Sequence, residues 1–237
     1  VYGSRVVVQP WDLNDLSDYF ANAIVVGEPA FVKELDASPA QLFRVLKPYG
    51  GALVLGIEGH RLQFTSSKYK QEWNRHFPKA DMSHGRWITF ARGPLEGAGQ
   101  WTSLYGNPQN TCCSEDPYVK TPLGLLWYGE PGSEKIVDRH GRAAGPIAFN
   151  GKLYVQGEEV VMAFDAYNGT LLWEREIDGA VRVRVDVDGG NLSIDETGLY
   201  VAAKKQCYQL DPNTGETMNR FQMPFYEAME TKDGQPR

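Results

Sequence analysis

The chain of 237 residues carries 24 Lys and Arg against 30 Asp and Glu, for a formal charge of −6 and a pI of about 5.3. This balance argues against a general nucleic-acid binder, which needs a basic face to neutralise phosphates. The three cysteines, Cys112, Cys113 and Cys207, form no zinc-type series or disulfide framework, and no apolar run of about 18 residues offers a transmembrane helix.

The N-terminal residues Val1-Tyr2-Gly3-Ser4-Arg5 form neither a start methionine nor a signal peptide, and an apolar run, Val6-Val7-Val8, follows at once. The pattern reads as a chain met partway through a domain, with a mature protein cut at Val1 as the alternative. Val6-Val7-Val8 reads as a buried strand, Pro10-Trp11-Asp12 as the loop after it, and Ala23-Ile24-Val25-Val26 as a second strand. Ser38-Pro39 opens a helix with serine at the N-cap and proline at N1. Leu42, Val45 and Leu46 share its apolar face, and Lys47 sits in its last turn. Pro48-Tyr49-Gly50-Gly51 ends the helix before a third strand, Ala52-Leu53-Val54-Leu55. Strand, helix and strand with nearly continuous apolar strands predict a parallel α/β sheet buried on both faces.

The run Arg44-Val45-Leu46-Lys47-Pro48-Tyr49-Gly50-Gly51 resembles the turn before strand five of class I S-adenosylmethionine-dependent methyltransferases, with Tyr49 departing from the usual proline-glycine-glycine. Asp12, residues 18–22 and Ala23 to Val26 match the region around strand four. The resemblance covers residues 4–57, the second half of such a Rossmann-like domain. It implies that the glycine-rich cofactor loop and the acidic residue of strand two would lie upstream of Val1. Asp12 is the one position it offers as a cofactor-binding contact, on the adenine side; the other reading of Asp12 is a turn cap. Asp12, Asp15 and Asp18 do not make an EF-hand, since Ser17 and Ala23 stand where glycine and glutamate are needed.

Further along, Leu62-Gln63-Phe64-Thr65 and Trp87-Ile88-Thr89-Phe90-Ala91 alternate as an antiparallel strand pair at the sheet edge. Residues 68–77 read as an amphipathic helix carrying Tyr69, Trp73 and Phe77. His76 and His84 read as loop histidines or as a metal pair. Arg92-Gly93-Pro94 marks a boundary. The predicted domains are thus 1–92, a partial α/β domain; 93–115, a linker and lead-in; and 116–237, an incomplete propeller.

Residues 121–221 repeat with a period of 46. Leu126-Trp127 recurs as Leu172-Trp173, Leu153-Tyr154-Val155 as Leu199-Tyr200-Val201, and Asp165 with Gly169 as Asp211 with Gly215. A period in the forties made of short strands and turns is the signature of propeller blades. Asp165-Ala166-Tyr167-Asn168-Gly169 and Asp211-Pro212-Asn213-Thr214-Gly215 read as tight turns. In each, Asp accepts backbone N–H bonds and Gly supplies positive φ. Asn150-Gly151 and Asp195-Glu196-Thr197-Gly198 read as hairpin turns. Residues 116–237 hold about 2.7 such periods, fewer than the four blades of the smallest closed ring.

The turn followed by a tryptophan strand resembles the blades of pyrroloquinoline-quinone (PQQ) type propellers, in which Trp127 and Trp173 would be the outer-strand tryptophans that dock between blades; Met218-Asn219 departs from the pattern. With the half domain before it, the chain is similar to planctomycete-type multidomain proteins that join a methyltransferase-like domain to a PQQ-like β-propeller. That resemblance implies a periplasmic or secreted location, and partners in the rest of a larger parent chain or in a second chain that completes the propeller. Cys112-Cys113 reads either as two thiols or as the vicinal disulfide that quinoprotein alcohol dehydrogenases hold against their quinone. Arg139, His140 and Arg142, in the polar cluster 138–142, read as an anion- or partner-binding group or as a solvated loop.

The leading functional reading is a noncatalytic binding or assembly module with no resident metal or cofactor. The alternatives are a quinone-dependent dehydrogenase using PQQ, or a methyltransferase using S-adenosylmethionine (SAM) with an appended propeller.

Overall fold

The computed structural model describes residues 6–27, 37–56, 67–78, 81–84 (backbone only), 87–129, 134–137, 143–182 and 190–223. The chain forms two compact units, Val1–Leu95 and Glu96–Arg237. Among the described residues there are two α-helices and three four-stranded sheets.

In the first unit, β1 (Ala23–Val26) lies parallel to β2 (Ala52–Gly56), with Ala23 opposite Ala52. The connection between them contains α1 (Pro39–Val45). Ser38 caps α1: its Oγ accepts the Gln41 N–H at 3.2 Å while Gln41 Oε1 accepts the Ser38 N–H at 2.9 Å. The sheet continues with β4 (Trp87–Ala91), antiparallel to β2, and ends at β3 (Asp81–His84), giving the order β1-β2-β4-β3. β4 therefore lies inside the sheet rather than at its edge; residues 62–65, its expected partner, lie outside the described residues.

Among the described residues, apolar side chains pack mainly against one face of this sheet. Leu53, Leu55, Ile88 and Phe90 are buried together with Leu42 and Leu46 and with Trp73 and Phe77 from and after α2 (Ser67–His76). Val25, by contrast, is 64% exposed, so the expectation of a sheet buried on both faces does not hold. The apolar runs were read as doubly covered, yet the antiparallel strand β4 alternates outward-facing Trp87, Thr89 and Ala91 with its core residues. Val6, Val7 and Val8 are exposed as well and form no named strand. β-branched composition alone had suggested that strand, and among the described residues these three valines join no hydrophobic core.

α1 ends at Val45, so Lys47 falls beyond its last turn. The carbonyls there are met from a distant segment instead. Arg92 is buried, its Nη1 donates to Phe43 O at 2.6 Å and to Leu46 O, and its guanidinium lies 4.1 Å from the Phe43 ring centroid and 4.9 Å from that of Tyr19. A delocalised cation at a helix C-terminus both satisfies orphan carbonyls and opposes the negative helix end. His76 closes α2 rather than lying in a loop, and its ring sits 5.1 Å from Phe43.

The second unit contains two antiparallel meanders. The first is β5 (Ile147–Phe149), β6 (Lys152–Gln156), β7 (Val160–Asp165) and β8 (Leu171–Glu176). The second is β9 (Leu192–Asp195), β10 (Gly198–Ala203), β11 (Gln206–Leu210) and β12 (Thr217–Gln222). β12 begins and ends 46 positions after β8. The outer ladder of each meander carries the same irregularity, between Ala163 and Phe164 in one and between Gln209 and Leu210 in the other. The first meander turns its Ile147, Phe149, Tyr154, Val161, Ala163 and Trp173 against Leu192, Ile194, Leu199, Val201, Ala203 and Leu210 of the second, in one shared core. These are two stacked four-stranded meanders that loosely resemble propeller blades, and they are termed blades below.

Candidate functional site

Each blade turn is built from its own sequence. Asp165 is buried, and its Oδ1 accepts the N–H groups of Tyr167 (3.0 Å) and Asn168 (3.2 Å), while its carbonyl accepts that of Gly169 (2.9 Å). Asp211 repeats this with Asn213 (2.7 Å) and Gly215 (2.8 Å). Both glycines are left-handed, with φ of 72° and 73°.

Onto each turn falls a tryptophan from the preceding repeat. Trp127 donates its indole N–H to Ala166 O at 3.0 Å, and Trp173 donates to Pro212 O at 3.0 Å. A Cβ on Gly169 would lie 2.4 Å from Trp127 Cε3; one on Gly215 would lie 2.7 Å from Trp173 Cε3. Donor, acceptor and glycine each shift by 46 positions between the two sites, so one docking geometry occurs twice. Tyr154 adds its hydroxyl to Pro212 O at 3.2 Å, and Arg175 reaches Gly215 O and Thr217 Oγ1 at 2.7 Å each. The sequence reading did not single out Arg175, because the position 46 residues later holds Phe221.

Residues 101–103 run along the innermost strands of both blades. Trp101 exchanges N–H···O bonds of 2.8 and 2.7 Å with Ala148, and the Ile194 N–H donates to Thr102 O at 3.0 Å. The loop that leaves this edge carries Cys112 and Cys113, both exposed free thiols, with Cys112 at φ 53°. Cys207, on β11, is half-buried, and burial pushes its thiol pKa up.

Asp12 lies on the first unit as a turn cap. Its Oδ1 accepts the Asn14 N–H at 2.8 Å and its own N–H donates to Asp15 Oδ2 at 3.0 Å, around the short turn Leu13–Asp15. Asp18 pairs with Arg44 at 2.7 Å, and Arg44 also donates to Leu13 O and Leu16 O. Arg139, His140 and Arg142 lie outside the described residues, and so does the His84 side chain.

A cleft of about 410 Å³ is lined by Glu134, Lys135, Glu158, Glu159, Val160, Glu174, Glu176 and Asp178. Lys135 pairs with Glu174, and Lys204 with Asp178, whose carboxyl it holds below the usual range. Among the described residues, no three His, Cys, Asp or Glu side chains are grouped to hold a metal ion. No helix among them is long and apolar enough to cross a membrane.

No protein-family model and no curated protein matches the chain. Solved structures do. A quinohemoprotein alcohol dehydrogenase from Comamonas testosteroni is 22% identical over 54% of this chain and 20% of its own, with a TM-score of 0.40. A europium-containing methanol dehydrogenase is 18% identical over 52% of this chain and 23% of its own, at 0.33. BamB from Moraxella catarrhalis is 16% identical over 41% of this chain and 27% of its own, at 0.27. The chain thus spans a fifth to about a quarter of the length of these structures, and the likeness is a weak one to quinoprotein and propeller-type folds.

Proposed function

We propose that this chain is a noncatalytic binding or assembly module built on PQQ-like propeller blades and acting as part of a larger assembly. The observation that carries this reading is the repeated Trp–turn contact. It makes each blade a unit that binds its neighbour, and a stack of two such blades leaves blade edges for further partners. The polar groups singled out along the described chain support it, because they are engaged in holding the fold: Asp165 and Asp211 bind their own turns, and Asp12 caps a turn beside α1. A PQQ-dependent reading has one feature in its favour, the position of Cys112 and Cys113 on a loop leaving the inner edge of both blades.

Light scattering with mass spectrometry on the natively purified species tests the proposal. A complex heavier than the chain's 26.5 kDa is expected. A stable, soluble monomer of that mass would sink the assembly reading.

A further inference from the structure

The chain holds two Asn-Gly pairs, Asn150-Gly151 and Asn168-Gly169, and both lie in the first blade. The positions 46 later hold Glu196-Thr197 and Thr214-Gly215, so the second blade has neither. An Asn-Gly pair brings its own nucleophile. The glycine's backbone nitrogen reaches the asparagine Cγ through a five-membered ring, and the missing Cβ leaves that approach unshielded. By sequence the two pairs are equally reactive, so the fold alone separates them.

At Asn168-Gly169 the reacting groups are engaged. The Gly169 N–H donates to Asp165 O at 2.9 Å, and the Asn168 N–H donates to Asp165 Oδ1 at 3.2 Å. Asn168 Oδ1 accepts from Thr170 N at 3.3 Å and from Thr170 Oγ1 at 2.9 Å. The docked Trp127 ring lies over Gly169, where a Cβ would meet Cε3 at 2.4 Å. Attack at this pair requires breaking those bonds and lifting the indole.

Asn150-Gly151 is the two-residue loop between β5 and β6, with Phe149 opposite Lys152 and φ of 46° and 74°. Asn150 is exposed, and among the described residues neither its side chain nor the Gly151 N–H has a hydrogen-bond partner. The loop nevertheless bears on the blade turn. Gly151 O accepts the Ala166 N–H at 3.0 Å, and Ala166 O is the acceptor on which Trp127 docks.

We propose that Asn150 is a site of spontaneous covalent modification, and that the docking of Trp127 spares Asn168 from the same reaction. The Gly151 nitrogen bonds to Asn150 Cγ, and the side-chain amide leaves as ammonia, taking up the Gly151 amide proton. Water then opens the cyclic imide at one of its two carbonyls. One opening leaves aspartate at position 150; the other leaves isoaspartate, with one more methylene in the main chain. A two-residue hairpin loop with both φ positive has fixed strand-to-strand geometry, which a longer main chain does not fit. Isoaspartate therefore breaks the Gly151 O bond to Ala166 and loosens the turn that receives Trp127, in the first blade and not in the second.

The test incubates the natively purified protein, and the same chain in urea, at mildly alkaline pH. Digestion and mass spectrometry then follow the gain in mass from amide to acid at each Asn-Gly peptide. In urea the two sites should convert at similar rates. In the folded protein Asn150 is expected to convert about ten-fold faster than Asn168, whose bonds must open first. Trp127→Ala should speed conversion at Asn168 and leave Asn150 unchanged; Thr170→Val, a milder change that removes one bond to Asn168 Oδ1, should act in the same direction. Amide exchange at Ala166 reads the consequence. Aged protein should lose protection there, whereas Asn150→Asp, which adds the charge without lengthening the main chain, should keep it. Comparable rates at both sites in the folded protein, or an Asn150 that stays intact while the urea-unfolded chain converts, would overturn the modification site. An Asn168 rate unmoved by both variants would overturn its protection by docking.

Discussion

The indole of Trp173 lies across Gly215 so closely that the glycine's missing Cβ defines the contact: a methyl there would sit 2.7 Å from Cε3 and 2.9 Å from Cδ2. Gly215 is also left-handed, at φ 73°. Gly215→Ala therefore meets two penalties, strain at positive φ and displacement of a packed ring, and should destabilise by about 2–4 kcal/mol. Gly145→Ala is the control, because nothing lies within 4 Å of that Cβ. Urea midpoints of both variants check this; equal, small shifts would show that the ring moves aside without cost.

Trp173→Ala removes the wedge itself. The side chain is buried between the blades against Tyr154, with ring centroids 6.1 Å apart. A loss of roughly 3–5 kcal/mol is expected from the aromatic-sized void. Trp173→Phe should fill most of that void and lose mainly the bond to Pro212 O, about 1 kcal/mol. A denaturation shift below about 1 kcal/mol for the alanine variant would refute the wedge.

The first unit turns on Arg92. Its guanidinium serves the carbonyls of Phe43 and Leu46 inside the fold, so Arg92→Met should leave two buried acceptors unpaired at roughly 1–3 kcal/mol each. Arg92→Lys should recover only part, since a compact, strongly hydrated ammonium does not lie flat on Phe43 as the guanidinium does. Thermal unfolding of the two variants separates these expectations. An Arg92→Lys variant as stable as the parent would mean that charge at the end of α1, not the planar guanidinium, is what counts.

How much of this was readable beforehand follows from the range of each interaction. The capping of α1 and the blade turns are written in a few adjacent residues, and the 46-residue period follows because a blade is a local meander. Arg92 read only as a domain boundary, because the helix end it serves lies more than forty positions earlier. The single face of the first sheet was not legible either, since an apolar run does not reveal how many layers cover it. The path of residues 101–103 escaped for a related reason: their pairing with β5 and β9 is non-local, and no turn signal announces it.

Tyr154 gives the second unit a dependence on alkaline pH. Burial, with the Asp211 carboxylate as a smaller cause, raises its phenol pKa above the usual value near 10. The unfolded chain releases this proton near pH 10 while the folded chain holds it. The contribution to stability is therefore fully present below about pH 10 and is lost as pH rises toward the folded pKa. Tyr154→Phe should cost about 1 kcal/mol at neutral pH through the bond to Pro212 O, and should flatten the loss of stability between about pH 10 and 11.5. An unchanged alkaline slope in Tyr154→Phe would assign that loss to other groups.

The polar face of the second blade makes the last prediction. Gln209 and Asn219 stand where the first blade has Ala163 and Trp173, and they bond to each other at 2.8 Å. Gln209 is buried and satisfied through Thr197 O, whereas Asn219 is exposed. Gln209→Ala with Asn219→Trp restores the first blade's chemistry at these two positions while removing three side-chain bonds, those of Gln209 with Asn219, Thr197 O and the Tyr200 hydroxyl, together worth about 1–2 kcal/mol at this partly exposed face. Among the described residues the exposed indole then has no turn to dock on, and an uncovered aromatic beside Tyr200 and Cys207 is a sticky surface. The double variant should therefore lose about 1–2 kcal/mol and associate beyond the mass of the unsubstituted protein, with added binding of a hydrophobic dye. Concentration-dependent sedimentation of the two proteins side by side reads this. If the variant sediments as the parent does, the Gln209–Asn219 pair is not what keeps this face from self-association.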